Sequence, residues 1–290
     1  MPVLGADRWK HSQPMTSLSD CHEGTLQAHS HNDSSSGSCL RHYPTGADGT
    51  ENCLTLDIYT SSVVYHNLKP VVVYIDGDDL TLEDELTLQP SAEIAHKTET
   101  VFVSVNYRRG VLGFLSLQSL SDRSETKNSG NFGLGDIISA LEWVQSNIQH
   151  FGGHPNQVTI LARGSGATLV TALTASPKAQ GLFKQAWVTN GAGAFENKTL
   201  GMANTENKAI LESLKCGSDE VECLIDETPE AIAESMPYEW RDTNLPELPQ
   251  VGEKGHSWII IDKQILLQHP KDYWAQNQLS NNIPMVFGKF

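Results

Sequence analysis

What this chain has little of narrows its function before any motif is found. Positive charge is scarce: 20 Lys and Arg stand against 35 Asp and Glu, for a net charge of −15. There is no basic stripe, which excludes a nucleic-acid surface, because phosphates demand clustered Lys and Arg. Long apolar runs are also missing. The longest, Val71 to Ile75 and Trp258 to Ile261, are far too short to cross a bilayer. The first ten residues hold no apolar stretch of the signal-peptide kind. No C-x2-C pair occurs and no cysteine stands at ligand spacing from a histidine, so the expectation is no metal site and no cofactor.

Against those absences stand two features of secreted proteins. Five cysteines, Cys21, Cys39, Cys53, Cys216 and Cys223, form two clusters and suggest a disulfide framework. Asn32-Asp33-Ser34 and Asn197-Lys198-Thr199 are N-glycosylation sequons, with Asn32 and Asn197 as acceptors. Extracellular features without an export signal lead to the expectation that the natural N-terminus lies upstream. A length of 290 residues suits one large α/β domain or two small ones.

Residues 11–50 are rich in His, Ser, Asp and Gly and read as a long irregular excursion. His11, His22, His29, His31 and His42 fall there without ligand spacing, and a solvated loop is expected rather than a metal site. From Leu54 the pattern becomes regular. Leu54, Leu56 and Ile58 alternate as in a half-buried strand. Val71 to Ile75, Val101 to Val105, Val158 to Leu161 and Met285 to Phe287 are continuous apolar runs, as expected of parallel strands covered on both faces. Leu134, Ile137, Ile138, Leu141, Val144 and Ile148 mark one helical face, with Gly152-Gly153 and Pro155 as its stop. This alternation predicts an α/β fold with an open, mostly parallel sheet. Residues 196–282 are more polar and read as a capping insertion, with a helix near Asn207 to Lys215. The acidic run Asp76-Gly77-Asp78-Asp79 lacks the glycine and glutamate of an EF-hand loop and reads as a solvated turn.

The most informative stretch is Val158-Thr159-Ile160-Leu161-Ala162-Arg163-Gly164-Ser165-Gly166. A buried strand turning into a small-residue helix has the form of a nucleophile elbow, whose working version reads G-x-S-x-G with the serine at the strained tip. Here the tip is Gly164, with the serine one residue late at Ser165. A one-residue shift at a helix start turns a side chain by about 100°, so Ser165 is expected to point away from a pocket. Its plainer role is to cap the helix start.

Several blocks then carry a resemblance. Glu51-Asn52-Cys53-Leu54-Thr55-Leu56-Asp57-Ile58-Tyr59, Asn106-Tyr107-Arg108, Gly113-Phe114-Leu115, Gly130-Asn131-Phe132-Gly133-Leu134-Gly135-Asp136, Ala140-Leu141-Glu142-Trp143-Val144 and Phe151-Gly152-Gly153 run in order along the chain. They resemble segments of the cholinesterase and type-B carboxylesterase family. Leu4 to Lys10, Thr25 to His29 and Gly166 to Thr171 look most like its catalytically inactive neural adhesion branch. The resemblance implies an α/β-hydrolase fold over residues 1–290, incomplete at both ends. It places that domain on the outside of a type II membrane protein, whose span would precede residue 1.

By the same resemblance Gly164 takes the nucleophile position and cannot attack a carbonyl. The family's His-Gly-Gly-Gly-like oxyanion turn is replaced by Asp76, Gly77, Asp78 and Asp79. Carboxylates there oppose the developing negative charge, and loss of flexible glycines is expected to keep the backbone away. The acid and histidine of the triad would lie beyond Phe290. The resemblance also implies a Cys216–Cys223 disulfide and a bond from Cys53 to an earlier cysteine, Cys39 being preferred and Cys21 the alternative. The implied function is heterophilic adhesion to a secreted immunoglobulin-domain protein of the amalgam type. A carboxylesterase-like hydrolase and a binder of a small hydrophobic ligand are the alternatives.

Overall fold

The computed structural model describes residues 4–13, 37–43, 46–63, 66–77, 90–191, 195–237, 240, 257–276 and 283–288. Two short strands, β1 (Arg41–Tyr43) and β2 (Gly46–Asp48), pair antiparallel. This order falls inside the stretch 11–50 expected to be irregular. The Cys39–Cys53 disulfide closes the segment that carries them, and Cys216–Cys223 closes a second loop. Of the alternatives for Cys53, the partner is Cys39; Cys21 lies outside the described residues.

The main sheet contains β3 (Leu56–Tyr59), β4 (Lys69–Ile75), β5 (Val101–Val105), β6 (Gly153–Arg163), β7 (Gln185–Thr189) and β8 (Met285–Gly288), in the order β3-β5-β4-β6-β7-β8. β3 runs antiparallel to β5 and every other neighbouring pair is parallel. Val71, Val73, Ile75, Val101, Val103, Val105, Ile160 and Ala162 are buried in its centre. Helical cover on both faces is what permits such uninterrupted β-branched runs. The cover thins at the far edge, where Trp187, Val286 and Phe287 are exposed.

Between the strands lie α1 (Ala92–Thr98), α2 (Gly110–Phe114), α3 (Gln118–Arg123), α4 (Phe132–Asn147) and α5 (Gly164–Thr174). The expected apolar face is buried: Leu134, Ile137, Ile138, Leu141 and Val144 in α4, and Ile148 in the turn that follows. The α-helix ends at Asn147 and a 3-10 turn over Ile148–Phe151 continues it; Gly152 stops that turn in the left-handed conformation, as expected, whereas Gly153 and Pro155 belong to β6. A register shift against β4 between Lys69 and Val71 accommodates this stretch, since proline has no N–H for a regular ladder.

The polar region after β7 holds α6 (Leu200–Ser213), α7 (Glu220–Asp226), α8 (Pro229–Glu234) and α9 (Pro270–Gln276). α6 begins well before Asn207 because Thr199 caps it, its hydroxyl accepting from the Met202 N–H at 3.4 Å. One histidine also departs from its expected place. His11 packs its ring on Phe132, with centroids 5.1 Å apart, rather than lying in a solvated loop. His42 lies in β1, and His22, His29 and His31 fall outside the described residues.

Candidate functional site: a closed strand-to-helix elbow

β6 passes into α5 with no residue between them: Arg163 ends the strand and Gly164 begins the helix. Gly164 has φ +55°, the left-handed conformation that glycine adopts without the side-chain penalty of other residues. The expected elbow is therefore present, with Gly164 at its tip. Ser165 follows inside the first turn of α5 and is fully buried. Arg163 occupies the N-cap position, and its side chain makes no capping hydrogen bond.

Gly77, just after β4, lies against this tip. A Cβ placed on Gly164 would fall well inside contact distance of the Gly77 carbonyl oxygen. A Cβ placed on Gly77 would in turn collide with the Arg163 carbonyl oxygen and the Gly166 amide nitrogen. Two backbones thus touch where neither can carry a side chain. The expectation that an acidic turn would hold the backbone away is overturned, because Gly77 remains among the aspartates and permits the approach. The group lying against the tip is a carbonyl, a hydrogen-bond acceptor. Acyl transfer needs the opposite there, N–H donors aimed at a developing oxyanion.

The carboxylate of Asp76 is drawn aside. Tyr74 Oη donates to Asp76 Oδ1 at 3.3 Å, and Arg109 Nη2 donates to Oδ2 at 3.4 Å. Tyr107 Oη donates to the Asp76 backbone carbonyl at 2.8 Å. The Arg109 guanidinium lies 4.9 Å from the centroid of the Tyr107 ring, within cation–π range. Asp76 therefore serves as an anchor for the turn as well as a charge. Asp78, Asp79 and Asn32 lie outside the described residues. Asn197 is exposed just before α6, away from the elbow in sequence.

Tyr74, Gly77, Tyr107 and Arg109 were not singled out as site residues by sequence. The signal was partly present, since Arg109 directly follows the Asn106-Tyr107-Arg108 block, but its charge partner is distant in sequence. Arg108 supports the same connection from behind. Its Nε and Nη2 each donate at 2.7 Å to the two oxygens of Asp136, and its backbone N–H donates to Oδ2 at 3.1 Å. Both side chains are buried, so α4 and the β5–α2 connection are held by one bidentate pair. Among the described residues no three His, Cys, Asp or Glu gather where they could hold a metal ion.

Comparison with known proteins places this geometry in a lineage. The carboxylesterase family model matches residues 1–289. The chain is 35% identical over 292 residues to Neurotactin of Drosophila melanogaster, covering 99% of this chain and 34% of that protein. It is 31% identical to Carboxylesterase 1E of Rattus norvegicus, covering 82% of this chain and 42% of that enzyme. A solved PNB esterase superposes over 100% of this chain and 57% of its own, with a TM-score of 0.79 at 26% identity. The chain thus spans well under two thirds of the length of these relatives. A parallel sheet flanked by helices, a strand-to-helix elbow at its centre and a match over nearly every residue agree: the chain belongs to the carboxylesterase family, with an α/β-hydrolase fold.

Proposed function

We propose that this chain is a non-catalytic, extracellular adhesion domain that retains the esterase fold as a scaffold for binding a protein partner. The observation that carries the reading is the closed elbow. Gly164 stands at the tip in a left-handed conformation, and the Gly77 carbonyl lies where a nucleophile's side chain would project. A triad mechanism needs an exposed nucleophile, a base in reach and preorganised N–H donors. The tip offers no side chain, and the adjacent Ser165 is fully buried. Removing one oxyanion donor alone costs about 3 kcal/mol of transition-state stabilisation. Removing the nucleophile takes away the reaction path.

Similarity to Neurotactin along 99% of the chain supports the adhesion reading over that of an active esterase. The partner class follows from the resemblance and from charge. A net charge of −15 favours a partner with a basic face, because long-range attraction between unlike surfaces accelerates encounter. A secreted immunoglobulin-domain protein with such a face is the proposed partner, and the proposed location is the outer face of the plasma membrane. Asn32 and Asn197 are proposed as glycan acceptors on this extracellular domain.

The test is a pull-down with the whole extracellular region against secreted neural immunoglobulin-domain proteins, repeated at high salt. A saturable, salt-weakened complex supports the reading. Absence of any such complex, together with turnover of a small phenyl ester, would replace it with a hydrolase.

A further inference from the structure

We propose that residues 4–13 form an acid-released strap, with His11 as the proton acceptor that releases it. The strap is tied down by several dispersed contacts. Arg8 forms a bidentate pair with Glu51, at 2.6 and 2.9 Å, and its Nη1 donates to the carbonyls of Leu224 and Glu227. Trp9 Nε1 donates to the Val111 carbonyl at 3.1 Å. Arg108 Nη2 donates to the Lys10 carbonyl, and Ser12 and Ser139 hydrogen-bond each other. Trp9 is held at φ +60°, a conformation that bulky residues adopt only when their surroundings impose it. Release of the strap would let that residue relax.

Among the described residues of the strap, His11 carries the only imidazole, the side chain whose ordinary titration falls in mild acid. Its ring sits on Phe132, and the missing side chain of Gly135 makes room for it, since a Cβ there would lie 2.8 Å from Nδ1. His11 Nε2 is buried with no hydrogen-bond partner among the described residues. Placing a proton there adds a second cation beside the buried Arg108 guanidinium. Every charged group facing the ring enters the balance: Arg108 and Lys178 oppose the imidazolium, while Asp262 and Asp136 favour it. Both oxygens of Asp136 are already engaged by Arg108, and Asp262 Oδ1 accepts the backbone N–H groups of Gln264, Ile265 and Leu266; Asp262 Oδ2 is buried with no hydrogen-bond partner among the described residues and is the acceptor that favours the imidazolium. Burial first, and Arg108 second, hold the imidazole below its ordinary value. A group depressed in this way contributes stability in full above its unfolded pKa of about 6.5, and that contribution is lost as pH falls below it.

Amide hydrogen exchange of the full-length protein, corrected for the intrinsic pH dependence, tests this between about pH 7.5 and about pH 5. In the wild type, amides of residues 4–13 should lose about tenfold protection in acid while β4 and β6 stay protected. His11→Gln should remove that pH dependence. His11→Phe keeps the ring contact with Phe132 and serves the same purpose if the glutamine variant undocks at neutral pH. Equal acid-induced loss in both variants, or no loss in the wild type, overturns the proposal. So does a His11 imidazole that titrates by NMR above the ordinary value.

Discussion

Restoring the missing nucleophile should harm this protein instead of making it an esterase. In Gly164→Ser the new side chain must adopt φ near +55° and share its space with the Gly77 carbonyl oxygen. The left-handed backbone costs about 1–2 kcal/mol for a residue with a Cβ. Overpacking against a fixed backbone typically adds about 1–3 kcal/mol. The sum is roughly 2–5 kcal/mol. Each kcal/mol lowers the melting temperature of a large domain by about 2–4 °C, so a fall of at least about 4 °C is expected. Circular dichroism melts of the two proteins at equal concentration measure it, alongside hydrolysis of p-nitrophenyl acetate. The working elbow of an esterase tolerates its serine because the space above the tip is open. A variant that melts within about 2 °C of the wild type and gains serine-dependent turnover would refute the closed elbow.

Other outcomes follow from neighbouring contacts. Gly77→Ala should also destabilise, by about 1–3 kcal/mol or more in urea denaturation, because its Cβ would meet the backbone of Arg163 and Gly166. Asp136→Asn leaves the buried Arg108 guanidinium without its charge partner and should cost about 3–5 kcal/mol; a loss below about 1 kcal/mol would show the pair to be idle. Replacing Cys39 and Cys53 together by serine should remove about 3 kcal/mol of stability, read from the denaturation midpoint. On the proposed glycan acceptor role, Asn197→Gln should lower the mass of protein made in a glycosylating host by one glycan while leaving its melting temperature unchanged, since Asn197 is exposed.

Much of the fold was legible because central parallel strands announce themselves. Val71 to Ile75 and Val101 to Val105 are apolar on both faces, and only a doubly covered sheet makes that pattern stable. β7 escaped notice for the opposite reason. One strand in from the edge, Gln185–Thr189 exposes Gln185 and Trp187 and holds an apolar run of only three residues, Ala186 to Val188, between polar ends. Pro155 looked like a helix stop because a proline inside a strand is legible only once the register shift beside it is seen.

The site divided in the same way. Gly164 could be placed at the tip from local pattern alone, since an elbow is a contiguous motif. Its contact with Gly77 joins residues far apart in sequence, and no periodicity encodes it. The same holds for Arg109 with Asp76, Arg108 with Asp136, and His11 with Phe132. The sheet order brings the ends of β4, β5 and β6 side by side and so makes the Gly77–Gly164 and Arg109–Asp76 pairings, while α4 supplies Asp136 and Phe132 to the other two. The family resemblance implied negative charge near the tip. Only the fold shows that Asp76 turns to Tyr74 and Arg109, leaving a backbone carbonyl against Gly164.

The most direct test of the central claim is intact-mass and peptide analysis of the full-length protein after treatment with an excess of a fluorophosphonate. An elbow with glycine at its tip, closed by Gly77 and followed by a buried Ser165, should acquire no phosphonyl adduct on the α5 peptide. A stoichiometric adduct on Ser165, abolished by Ser165→Ala, would contradict the account and make this chain an enzyme.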